Sequence, residues 1–161
     1  MNLTPRFFQQ NELLLFFGSL SKEMLQQIHL QVNTELDASE RVLSWFEQLN
    51  SPPLPDIVVW WQCQTLLQEG FTNIVEHGHR NLPPETPIAL KAIRSKKSIE
   101  IRIWSYGKLF DLEQKLQEPP DLEDNDDERG RGLKIMSTIA DGLSYERTPD
   151  HRNCLWMKKC Y

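Results

Sequence analysis

Three polar residues recur at intervals of four in the stretch Glu69-Gly-Phe-Thr-Asn73-Ile-Val-Glu-His77-Gly78. Residues four apart stand one above another on a helix. Glu69, Asn73 and His77 therefore form one polar stripe, with Leu66, Leu67, Phe71, Ile74 and Val75 on the buried side. A carboxylate beside an amide oxygen is what metal-assisted phosphoryl chemistry needs. The glutamate can take the proton of an attacking hydroxyl, and the amide oxygen can hold a hydrated Mg²⁺ on nucleotide phosphates. The plain alternative is a solvated helix face that happens to carry Glu, Asn and His.

The stripe falls late in a helix expected from about Ile57 to Gly78, capped by Asp56 and apolar over most of its circumference. That pattern makes it the central buried helix, with Trp60 and Trp61 read as core. Upstream, Ile28 to Val32 alternates with period two as a half-buried strand. Asp37-Ala-Ser-Glu40 reads as a capping box for a helix carrying Val42, Leu43, Trp45, Phe46 and Leu49. Downstream, Ile88 to Ile93 and Ser98 to Trp104 alternate cleanly and form an antiparallel hairpin across Arg94 to Lys97.

From Ser105 to Arg129 the pattern breaks down, leaving at most one turn of helix near Leu112 to Leu116. A loop of this length in a compact domain is a lid or an insert, and its acidic run Asp121 to Glu128 reads as solvated and outward-pointing. Gly130-Arg-Gly132 opens a short amphipathic helix, Leu133 to Ala140. Leu143 to Arg147 and Asn153 to Lys159 close the chain as two strands. Runs of strands meeting across turns imply an α/β (α+β) two-layer sandwich, a mostly antiparallel sheet with helices on one face.

A chain of 161 residues suits one domain, here residues 28–161, preceded by an N-terminal extension, 1–27, whose role the sequence leaves open. The net charge of −5 argues against direct nucleic-acid binding. Cys63, Cys154 and Cys160 form no metal-binding spacing and read as reduced thiols. No stretch approaches the ~20 apolar residues of a membrane span, and Met1 to Gln10 lacks the basic start of a signal peptide. The expectation is a cytoplasmic protein with no membrane contact. His77 and His79 have no third ligand at a sensible spacing, so a zinc reading is set aside.

Glu69-x-x-x-Asn73 followed by His77-Gly78 resembles the N-box of the Bergerat-fold ATPases, the histidine kinase-like ATPases. The fuller string EGFTNIVEHGH resembles the branch of anti-sigma regulatory factor serine/threonine-protein kinases. GRGLKIMSTIADGLSY, from Gly130, is similar to that branch's glycine box, and Tyr106-Gly107 through Phe110-Asp111 to the segment between. Short glycine motifs recur by chance, but three boxes in order on the expected elements do not. The resemblance implies a Bergerat ATPase fold that binds ATP with Mg²⁺. By it Glu69 is the general base and Asn73 the Mg²⁺ ligand. The nucleotide is implied to be held by Asn73, His77, Ser105, Gly107, Arg129, Gly130, Arg131 and Gly132. Gly107 would let the backbone pass close to the adenine, and Gly130 and Gly132 would let backbone N–H groups reach the phosphates.

One position departs from the family. Two residues before Gly107, where the family places an aspartate that receives the adenine amino hydrogen, this chain has Ser105. Asp111 does not replace it, since it matches another family position just after Phe110. Losing a charge-assisted bond costs about 1.5–3 kcal/mol, or roughly 10- to 150-fold in affinity. Two functions follow from the resemblance. One is an anti-sigma factor that phosphorylates a serine or threonine of an anti-sigma factor antagonist. The other is a degenerate, non-catalytic module of the same fold that sequesters a sigma factor or the antagonist. A homodimer is also implied. A histidine kinase fragment fits poorly, because no upstream helix carries a phosphoacceptor histidine and His29 falls in a strand.

Overall fold

The computed structural model describes residues 25–117 and 131–161. The N-terminal stretch 1–24 and the segment 118–130, with Arg129 and Gly130, lie outside the described residues. The elements are β1 (Gln26–Val32), α1 (Ala38–Glu47) and α2 (Ile57–Asn73), which runs into a π-helical turn (Ile74–Gly78). They continue with β2 (Ile88–Arg94), β3 (Ser98–Ser105), α3 (Leu112–Gln117), α4 (Arg131–Ile139), β4 (Gly142–Arg147) and β5 (Asn153–Cys160). The strands form one sheet in the order β1-β2-β3-β5-β4. Every neighbouring pair is antiparallel, so the expected two-layer sandwich is observed.

The register explains how the sheet builds its core. Leu30, Leu90, Ile103, Leu155 and Tyr145 stand opposite one another across all five strands. Ile28, Ala92, Ile101, Met157 and Leu143 form the next such row on the same face. Because side chains alternate along a strand, one face collects the apolar residues. They pack with Phe46, Trp60, Cys63, Leu66, Leu67 and Phe71 of the helices into a single core. Cys63 is fully buried there, and burial pushes its thiol pKa up to about 12. Helix α2 lies close on the sheet: a Cβ added at Gly70 would come 2.9 Å from Met157 and 3.2 Å from Ile103. This contact fixes the end of α2 over the end of β3.

Four local expectations need correction. Asp37 makes no capping bond and is itself helical; the preceding turn does the work, with the Ala38 and Ser39 N–H groups donating to the Glu35 and Leu36 carbonyls. Asp56 does cap, its Oδ1 accepting from the Val58 N–H at 2.9 Å. Trp60 is 2% exposed but Trp61 is 57% exposed, joined at the surface by Ile57 and Val58. Adjacent helical residues point about 100° apart, and the sheet covers only one side of α2. Finally, α2 ends at Asn73, and the residues to Gly78 form the wider turn, in which the His79 N–H donates to the Ile74 carbonyl five residues back. Strand β1 also begins two residues earlier than the alternation alone suggests.

Candidate functional site

Glu69 and Asn73 stand on the last turns of α2, both half-buried. What faces them is the first turn of α4. A Cβ at Gly132 would lie 2.6 Å from Glu69 Oε2 and 3.3 Å from Asn73 Nδ2. Glycine lets the α4 backbone approach the carboxylate and the amide together without displacing either side chain. Asn73 Nδ2 is buried with no hydrogen-bond partner among the described residues, and such an atom costs about 1–3 kcal/mol until something fills it. Arg131 is exposed at the start of α4. His77 projects from the π-helical turn and is also exposed.

A second group lies where the apolar rows of the sheet run out. Ser105 and Asn153 are directly paired across β3 and β5, and both are fully buried. Asn153 Nδ2 donates to the carbonyls of Tyr106 and Gly107 at 3.4 and 3.3 Å. Among the described residues its Oδ1 and the Ser105 Oγ have no well-aligned hydrogen-bond partner. The Tyr145 hydroxyl approaches both side chains. Burial raises its pKa, an effect that hydrogen bonding towards Ser105 and Asn153 partly offsets. Phe110 stacks on the Tyr145 ring at 4.5 Å between centroids.

Gly107 joins these two groups. Its φ of +92° is one that residues with a Cβ rarely adopt, and a Cβ there would lie 2.5 Å from the Gly78 carbonyl oxygen. The next residue along, His79, is 1% exposed. Its Nε2 accepts the Tyr106 N–H at 2.8 Å, and its Nδ1 lies 2.7 Å from Thr34 Oγ1. Burial lowers its pKa. A cleft of about 500 Å³ opens beside this junction, lined by His77, Gly78, Lys108, Phe110, Asp111 and Lys115.

Glu69, Asn73 and Gly132 thus converge, and Gly107 meets the residue after His77. Ser105 lies below with Asn153 and Tyr145, while Arg129 and Gly130 lie outside the described residues. Sequence reasoning missed three contributors. Asn153 had a signal: it starts the inward row Asn153, Leu155, Met157, where an amide is out of place. Tyr145 and the partnership of His79 with Thr34 had none, since their partners are distant in sequence. Chemically, the arrangement offers a carboxylate proton acceptor, an amide for a hydrated cation, a helix N-terminus for an anion and buried acceptors for a ligand edge. These residues fit a Mg²⁺-nucleotide.

A family profile described as the histidine kinase-like ATPase domain matches residues 32–159. No curated protein matches the chain in sequence. A chain in the crystal structure of the SiaB–SiaC complex from Pseudomonas aeruginosa matches this one in structure with a TM-score of 0.59. The match covers 95% of this chain and 100% of that chain at 12% identity, a likeness of fold alone.

Proposed function

Because this chain belongs to the histidine kinase-like ATPase domain family, we propose that it is a regulatory kinase that binds ATP with Mg²⁺ and phosphorylates a serine or threonine of an anti-sigma factor antagonist. The observation that carries this reading is the approach of Gly132 to both Glu69 and Asn73. It brings a carboxylate and an amide to a helix N-terminus, whose first N–H groups have no partner within the helix. Bound ATP–Mg²⁺ supplies the transferable phosphoryl group. Asn73 would hold the metal through its amide oxygen. As the partner's hydroxyl oxygen attacks the γ-phosphorus, Glu69 would take the hydroxyl proton and ADP would leave with the electrons of the broken P–O bond. The first turn of α4, with Arg131 and with Arg129 and Gly130 ahead of it, offsets charge on the phosphoryl oxygens. Ser105 and Gly107 receive the adenine side, and His77 lies between the two ends.

Transfer would add a doubly charged group to the partner's face, so like-charge repulsion and desolvation would release it. That the SiaB–SiaC neighbour was solved as a complex of two proteins supports a protein partner. A non-catalytic module that sequesters a sigma factor or antagonist is the second reading, and Ser105 favours it. The buried oxygen there is neutral, where the family's carboxylate would be charged. Calorimetric titration with ATP and ADP, with and without Mg²⁺, followed by a phosphotransfer assay on candidate antagonists, separates the two. Mg²⁺-dependent binding with transfer establishes the kinase. Absence of nucleotide binding leaves the sequestering module.

A further inference from the structure

We propose that His79 is a positioning residue for the adenine side of the site, holding the Tyr106–Gly107 turn through its neutral ring with the proton on Nδ1. The proposal rests on the nucleotide reading above. The hydrogen bonds themselves fix the tautomer. The Tyr106 N–H can only donate, so the Nε2 that receives it at 2.8 Å carries no proton. The Thr86 carbonyl can only accept, so Thr34 Oγ1 spends its proton there at 2.6 Å and receives Nδ1–H at 2.7 Å. The chain of donors runs from His79 to Thr34 to Thr86 in one direction only.

The turn is gripped from two sides. His79 takes its N–H, and Asn153 donates to the two carbonyls that follow. Gly107 can hold its φ of +92° against the Gly78 carbonyl only while this register is kept. Gly78 and His79 close the same helical run that carries Glu69 and Asn73. One rigid element therefore sets both the phosphoryl end and the base end of the site.

Protonation would aim an Nε2–H at the Tyr106 N–H and place a charge in a site that is 1% exposed. The ring of Tyr106 lies 6.4 Å away, centroid to centroid. The ionisable chain neighbours Glu35, Glu85, Arg80 and His77 are all exposed, and burial alone lowers the His79 pKa. The folded state thus binds fewer protons than the unfolded chain. The stabilisation is full above the ordinary histidine value of about 6.5 and falls away below it, and the latch itself opens only as pH reaches the lowered pKa of the folded state.

The test combines ¹⁵N NMR of the His79 ring with Mg-ATP titrations of wild type and His79→Gln between about pH 5 and 8. Gln offers an acceptor that does not titrate, so the comparison cancels the nucleotide's own phosphate titration. The expected NMR result is a neutral ring protonated on Nδ1, titrating below the ordinary range. Wild type should lose about tenfold more affinity than His79→Gln across the acid half of the range, the equivalent of one hydrogen bond. A ring protonated on Nε2, or parallel affinity losses in the two proteins, would overturn the proposal. The NMR result needs no nucleotide and also serves if His79→Gln does not fold. Failure of ATP to bind at any pH would instead remove the nucleotide reading, and the positioning role with it.

Discussion

In the proposed kinase Glu69 and Ser105 would divide the chemistry of the site between them, and each has a substitution that isolates its part. Glu69→Gln keeps the side chain's shape against Gly132 but removes the proton acceptor. Phosphotransfer to the antagonist should disappear while Mg-ATP affinity stays near that of wild type, as read by a labelled-phosphate assay and calorimetry. Asn73→Ala should weaken binding in the presence of Mg²⁺ as well, because the proposed metal ligand, an amide oxygen, would be lost. Ser105→Asp should tighten ATP and ADP by about tenfold or more, since a charged acceptor is worth about 1.5–3 kcal/mol, and should give GTP nothing. Its full burial adds a second expectation. Without nucleotide the new carboxylate faces Asn153 across the strands, so the melting temperature should drop, then recover on adding ATP. A variant equally stable with and without ATP would show that position 105 does not meet the base.

At the scale of elements, α1 and α2 supply paired comparisons. Asp56→Ala should cost about 0.5–2 kcal/mol because a real capping bond is lost. Asp37→Ala should cost little, because the turn before α1 already satisfies those N–H groups. Trp60→Ala should cost about 3–5 kcal/mol, since the ring is buried and stacks on Phe46 at 4.8 Å. Trp61→Ala should stay within about 0.5 kcal/mol of wild type. Urea unfolding of the four variants checks all of these together. The pairs also show where sequence reading loses its grip. Apolar residues crowd the start of α2 on every side, but burial depends on which side the sheet covers, and that is settled by contacts remote in the chain. A capping motif likewise states what a side chain can do, not whether a neighbouring turn has already done it.

Over the whole molecule, the sandwich was legible because its strands alternate and its longest helix is apolar, both local signals. Glu69, Asn73 and Gly132 were legible as motif positions, though not that Gly132 would touch both. The Ser105–Asn153 pair and the His79 network depend on registers and packing across dozens of residues. No helix among the described residues is long and apolar enough to cross a membrane. Stability as a whole should fall as pH drops below about 6.5, the unfolded histidine value, because His79 is buried in its neutral form. His79→Gln should flatten that part of a melting-temperature profile. An unchanged profile would mean that another group carries the acid sensitivity.

Cys63 gives the protein a clock of its own. A thiol sealed in the core with its pKa near 12 cannot be alkylated in the native state, whereas Cys160 is exposed and should react at once. Slow labelling at Cys63 then counts excursions to the open chain, one molecule at a time, and intact-mass spectrometry can read it. Any compound that binds only the native form stretches the interval between excursions. At a concentration of 100 times its Kd, the labelling rate should fall by about a factor of 100. Screening nucleotides and candidate protein partners against this one cysteine would rank their affinities before any phosphotransfer assay exists.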